Sequence, residues 1–155
     1  MARDTKWIPQ GVIPAVLLPF NEDLSIDEKS FRAHLADVAS VDGLSAITIN
    51  AHSTEVASCS FDEQKRVLAI TRDEIGARLP IVHGVYAEGS LEAARIARMA
   101  AEGGASALPG FAPMAPRKVG WEAFACGFWP ACCCAPNIGG GAGAAFGETM
   151  VLPST

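Results

Sequence analysis

The chain has 155 residues, half of them hydrophobic, with 12 Lys and Arg against 17 Asp and Glu and a net charge of −5. That length and composition suit one globular domain with a real core and exclude a disordered chain. The acidic balance and the lack of a basic stripe exclude nucleic acid or an anionic membrane surface as partner, because either needs positive charge against phosphates.

The opening MARDTKWIPQ has no apolar stretch of the signal-peptide kind, and nothing later reaches the roughly 20 apolar residues of a membrane span, so a cytoplasmic location is expected. Four of the five cysteines (Cys126, Cys132, Cys133, Cys134) crowd into one region and Cys59 stands alone, which is not the pattern of a disulfide framework.

Residues 12–20, VIPAVLLPF, are apolar throughout and predict a strand covered on both faces, with Pro14 an unusual interior residue. Ser25 and Glu28 have the spacing of a capping box, opening a helix whose buried stripe is Phe31, Leu35 and Val38. Gly43 closes that unit, and residues 44–50, LSAITIN, predict a second strand. Ser60 and Glu63 form another capping-box pattern at the head of a helix that carries Val67, Ile70 and Ile75 on one side and stops at Gly76 and Pro80. A third strand is expected over 81–85, IVHGV. A third helix follows, capped by Ser90, packed through alanines, Ile96 and Met99, and terminated by Gly103 and Gly104. Residues 105–108, ASAL, begin a fourth strand.

Three strand–helix units joined by short loops require a parallel sheet with right-handed crossovers, so the class is α/β. An open doubly wound sheet and a (β/α)8 barrel of about 250 residues both satisfy the pattern, and both gather ligand-binding groups at the C-terminal ends of strands. Beyond residue 108 the character changes. Only Arg117, Lys118, Glu122 and Glu148 are charged, while this tail holds 8 of the 15 glycines, 6 of the 10 prolines and 4 of the 5 cysteines. No period of 2 or 3.6 can be followed through it. The expected division is therefore 1–108, a folded unit, and 109–155, an irregular tail whose loss of charge and period suggests out-of-frame translation.

The segment NAHSTE, residues 50–55, ends the second strand. Hydroxyls and backbone N–H groups at a strand end suit a small carboxylate, because they supply donors without a buried counter-charge. Ser53 and Thr54 fit that role, Glu55 would fix the loop by accepting N–H bonds, and His52 would relay a proton. An alternative constellation is a zinc site that activates water, made by His52, Glu55 and His83 converging from adjacent strand ends. The CCC cluster lacks paired metal-site spacing. The run GGGAGAAFG, residues 139–147, lacks the Lys-Ser/Thr ending of a phosphate loop.

The order of segments GVIPAVLLPFNEDLSIDEKSFRAHLADVASVDGLSAITINAHSTEV, SFDEQKRVL, LPIVHGV and AARIARMAAEGGASAL resembles the N-terminal part of the dihydrodipicolinate synthase / N-acetylneuraminate lyase family of Schiff-base aldolases. The resemblance covers about residues 11–108. It implies the first three to four βα units of a (β/α)8 TIM barrel, incomplete in this chain. It also implies homo-oligomers, no cofactor, and pyruvate or a related 2-oxo acid bound through an imine to a strand-six lysine, with a strand-five tyrosine as relay.

The family's carboxylate-binding loop, Gly-Thr-Thr-Gly-Glu, falls on Ala51, His52, Ser53, Thr54 and Glu55. The resemblance therefore assigns carboxylate binding to Ser53 and the backbone of Thr54, with His52 at the relay position. Thr54 stands where the family has glycine, so strain is expected if that position needs positive φ.

An imine-forming lysine must be buried or set beside another cation to be unprotonated. Lys6, Lys29, Lys65 and Lys118 all occupy polar or irregular surroundings, and Tyr86, the one tyrosine, follows the third strand. The chain is accordingly expected to be inactive alone, either as a remnant of a lyase or as a non-catalytic 2-oxo-acid-binding module. Its two open sheet edges and apolar inner face are expected to promote self-association.

Overall fold

The computed structural model describes residues 11–109 and 149–151. Lys6, Lys118, the cysteine cluster and the 139–147 glycine run lie outside the described residues. The elements in order are α1 (Glu28–Ala39), β1 (Ile47–Ile49), two single 3-10 turns (His52–Thr54 and Val56–Ser58), α2 (Phe61–Ile75), β2 (Ile81–His83), α3 (Ser90–Glu102), β3 (Ala107–Pro109) and β4 (Thr149–Val151).

β1, β2 and β3 pair in parallel, in register Ile47 to Ile81 and Val82 to Ala107, and the helices between them pack on the sheet. These alternating units are the α/β arrangement expected from the sequence. β4 adds antiparallel to β3, with Leu108 opposite Met150.

The apolar segment 12–20 departs from a regular strand. It meets the next strand only through parallel bridges at Val12–Leu44 and Ala15–Thr48, and the pairing offset changes by one residue between them. Pro14 supplies the reason, since it accepts from Thr48 N–H at 2.8 Å but has no N–H to return to the ladder. Nor is the segment covered on both faces. Val16 and Leu18 enter the core, while Val12 and Leu17 are 62% and 61% exposed.

The period-2 alternation of the strands builds two layers. Ile47, Ile49 and Ile81 point to the helices and join Phe31, Leu35, Val67, Leu68, Ile70, Ile96 and Met99 in the main core. Ala46, Val82 and Ala107 form a second, small-residue cluster with Ile13 on the other face. These three are buried, so the expected open inner face does not occur at them.

The starts of α1 and α2 are set by side chains that reach free N–H groups. Ser60 and Glu63 form the full reciprocal box at α2, with Ser60 N–H donating to the Glu63 carboxylate at 2.7 Å. At α1 the expected Ser25–Glu28 box is not made. Asp27 is the cap, accepting from Ser30 N–H at 3.0 Å, and Ser25 is held by Asp23 in the preceding turn. Glu28 instead takes two hydrogen bonds of 2.6 Å from Arg66 of α2, an alternative partner that local spacing does not reveal. At α3 the cap position is Gly89, and Ser90 is the first helical residue.

An N-cap side chain is worth about 1 kcal/mol. Asp27→Ala and Ser60→Ala should each lower stability by about that amount, and Ser25→Ala by clearly less, when urea midpoints are compared.

Candidate functional site at the end of the first parallel strand

The loop after β1 is shaped by two residues in the left-handed region. Asn50 (φ 49°) turns the chain out of the sheet, and Glu55 (φ 53°, ψ 34°) separates the two 3-10 turns. Asparagine tolerates that conformation; glutamate pays for it in strain. Thr54 is not among the positive-φ residues, so the strain expected from its replacing a glycine does not arise.

Thr54 anchors the loop instead. It is fully buried, its hydroxyl donates to the Val16 carbonyl at 3.0 Å, and its N–H closes the first turn onto Ala51 at 3.0 Å. Glu55 contributes through its backbone, with its N–H donating to His52 and its carbonyl accepting from Ser58. Its side chain is exposed.

Ser53 is the residue of this loop with a spare donor. Its hydroxyl is buried and has no hydrogen-bond partner. It borders a cleft of about 480 Å³ that Leu18, Pro19, Ser30, His34 and Glu55 also line. Ser30 and His34 come from α1 and carry no motif that sequence reading would single out. His34 Nε2 accepts from Leu17 N–H at 3.2 Å, which fixes its ring against the first segment. A larger groove, about 750 Å³, lies between α2 and α3 on the outer helix layer, lined by Leu68, Arg72 and Met99, away from the strand ends.

His52 is exposed and meets the Tyr86 ring edge-on, with centroids 5.5 Å apart. Thus the structure brings together His52, Ser53, Thr54 and Glu55 on one loop and adds Tyr86 from the end of β2. His83 does not join them. It shares the parity of Ile81, which points it into the helix layer, and it is completely buried. Its Nδ1 donates to the Gly84 carbonyl and its Nε2 accepts from Asn50 Nδ2, both at 2.7 Å.

With both ring nitrogens engaged, His83 cannot complete the zinc set with His52 and Glu55. Among the described residues no three His, Cys, Asp or Glu side chains are grouped to hold a metal ion. The correction follows from strand parity, which separates His83 from the loop.

Asn50 Nδ2 also donates to the Gln64 carbonyl at 2.9 Å, tying the loop entrance to α2. At Gly84 the two strand ends almost touch. Its N–H donates to Ile49 at 2.9 Å, and a Cβ there would sit 2.1 Å from the Asn50 oxygen, so only glycine fits.

The described lysines, Lys29 and Lys65, are exposed residues of α1 and α2. Neither occupies a strand end. Cys59 is buried, and burial, reinforced by Glu63 and Glu55, pushes its thiol up to about 11, so it remains a neutral packing group at physiological pH.

Parallel strands with crossover helices, a loop of donors at the first strand end and a close strand contact beside it define an α/β protein with a ligand-binding strand end. The chain belongs to the dihydrodipicolinate synthetase family, which matches residues 8–115. It is 33% identical over 99 residues to the 4-hydroxy-tetrahydrodipicolinate synthase of Agrobacterium fabrum, covering 64% of this chain and 33% of that protein. It is 35% identical over 98 residues to the enzyme of the same name from Methanothrix thermoacetophila, covering 63% and 32%.

Among solved structures it is similar to dihydrodipicolinate synthase from Aquifex aeolicus, with a TM-score of 0.70 at 21% identity, covering 79% of this chain and 41% of that one. CdNal from Clostridium difficile, in complex with mannosamine, gives a TM-score of 0.64 at 26% identity, covering 76% and 40%. The chain spans about a third of the length of the curated relatives it matches. No described helix is long and apolar enough to cross a membrane.

Burial holds His83 well below the ordinary imidazole value, at about 4. The unfolded chain therefore binds a proton between about pH 6.5 and 4 that the folded chain refuses, so stability falls as pH drops through that window and flattens below it. The expected loss is roughly 3 kcal/mol. Urea denaturation of the chain and of His83→Gln from pH 7 to pH 4 should show a shallower slope in the variant.

Proposed function

We propose that residues 50–55 are the carboxylate seat for pyruvate or a related 2-oxo acid in a Schiff-base lyase scaffold of the dihydrodipicolinate synthase type, and that this chain binds without turnover. The observation that carries the reading is the Ser53 hydroxyl, buried and unpartnered on a loop that the Thr54 hydroxyl and the backbone turn hydrogen bonds hold in place. A buried donor without a partner is costly, and an incoming carboxylate oxygen would satisfy it with a charge-assisted bond.

In this reading Ser53 donates to the carboxylate and the backbone of Thr54 sets its position. Glu55 holds the turn through its left-handed backbone, and His52, beside Tyr86, occupies the proton-relay position. Imine chemistry needs no metal or other cofactor. It does need a lysine kept unprotonated by burial or a neighbouring cation, and the described lysines are exposed helix residues.

The same reading divides the chain at residue 108. Residues 1–108 are the N-terminal part of a barrel domain of a cytoplasmic, homo-oligomeric enzyme class, and residues 109–155 are out-of-frame sequence. Translating the other two frames of the encoding DNA beyond codon 100 tests the division. A frame that restores strand periodicity, a strand-end tyrosine and a strand-end lysine supports it.

Incubation with pyruvate and borohydride followed by mass spectrometry of the intact chain tests the absence of turnover. The expected spectrum is unmodified protein. A single lysine carrying the reduced pyruvate adduct would overturn the reading.

A further inference from the structure

The groove of about 750 Å³ on the outer helix layer is built by α2, α3 and the residue that ends α3, and an arginine bridges it at each end. Near the helix starts, the Arg95 guanidinium of α3 lies over the Phe61 ring of α2, 3.7 Å from its centroid. Near the helix ends, Arg72 of α2 donates to the Gly104 carbonyl, just past α3, at 2.9 Å. A Cβ at Gly103 would stand 2.4 Å from Leu68 Cδ2, so the bare glycine lets the end of α3 sit against α2. Phe61 and Arg72 are about 16 Å apart along the α2 axis. The groove is therefore a bounded trough of the size that small molecules occupy, and no strand beyond β3 is needed to form it.

The trough has an apolar floor and a cationic rim. Leu68 and Met99 are buried at its base, and Ala69 lines it as a small exposed residue. Asp73 is paired with Arg32 of α1, and Arg95 with Glu92 of its own helix. Among the described residues Lys65, Arg72 and Arg98 make no ion pair, which leaves these cations against Glu102 around the trough. A positive rim on a chain of net charge −5 reverses the overall sign locally. Lys65 and Arg98 each stand about one turn beyond the Phe61–Arg95 contact, on helices that run the same way, so they flank the trough at one level.

We propose that this trough binds a medium-chain aliphatic carboxylate. The chain lies along Leu68, Ala69 and Met99, where it removes apolar surface from water, and the carboxylate sits between Lys65 and Arg98, whose guanidinium offers a fork of donors.

The lining selects among anions. Phe61 is the aromatic residue of the trough and its ring already carries Arg95, so an aliphatic body fits better than a stacked ring or base. Asp73 and Glu102 also border the rim, which favours a single negative charge over a phosphate dianion. The bridged ends limit length, so one short chain fits and a partner's helix running through does not. The inference stands independently of the 2-oxo-acid reading, since the trough lies on the outer helix layer and uses none of residues 50–55.

Titration of isotope-labelled chain with octanoate, followed through the backbone amides by NMR, tests it. Acetate and 1-octanol, each carrying one half of the ligand's chemistry, are titrated alongside. The expected result is saturable shifts with octanoate centred on Lys65, Ala69, Arg98 and Met99, and much weaker ones with either control. Lys65→Gln and Arg98→Gln change exposed side chains, and each should weaken octanoate about fivefold while leaving 1-octanol unchanged. Ala69→Glu puts bulk and negative charge into the trough and should abolish binding. Octanoate and 1-octanol binding equally well, octanoate binding indifferent to both glutamine variants, or no saturable shift in α2 and α3 would overturn the proposal. So would self-association without octanoate that Ala69→Glu abolishes, because a second copy of the chain would then be the occupant.

Discussion

The contact on which the site depends is the approach of Gly84 to the end of β1. With a Cβ position only 2.1 Å from the Asn50 oxygen, glycine is the one residue that lets β2 run close enough to donate to Ile49. That closeness brings the His83 ring against the Asn50 amide. Held between His83 and the Gln64 carbonyl, Asn50 keeps its left-handed backbone, and the chain leaves the sheet toward Ser53. The electrostatics agree with this role. Burial keeps His83 neutral, and a single tautomer, proton on Nδ1, satisfies both of its bonds.

From that point the loop is held at two further places. Thr54 ties it to the first apolar segment through Val16, and the α2 capping box fixes its exit at Ser60. The surface ion pairs between α1 and α2, Arg32 with Asp73 and Arg66 with Glu28, orient the helices but are too exposed to be a main source of stability. The scaffold thus positions a donor loop firmly, while the described lysines, Lys29 and Lys65, lie exposed on α1 and α2. In a (β/α)8 barrel the residues of one site come from the ends of several different strands.

Much of this was legible in the residues, wherever the cause is local. The spans of α2 and α3 follow from their apolar period and their glycine stops, and the Ser60–Glu63 box is a contact between near neighbours. The Ser25–Glu28 box shows the limit, because Glu28 finds Arg66 across 38 residues. The first apolar segment reads as a full strand until the side of the sheet that Pro14 faces is known. His83 could have been kept out of the metal set by parity alone, since it shares the face of Ile81. The backbone angles of Thr54 and Glu55 had no sequence signal, and neither did the convergence of His34 on the loop, which needs the fold of α1 over Leu17.

The central claim is that the loop after β1 is where a 2-oxo acid's carboxylate binds. It is tested most directly by titrating isotope-labelled chain with pyruvate and following the backbone amides by NMR. The account predicts saturable shifts centred on His52, Ser53 and Thr54, with smaller ones at Gly84 and Tyr86. Shifts confined to the groove between α2 and α3, or no saturable shift at all, would contradict it.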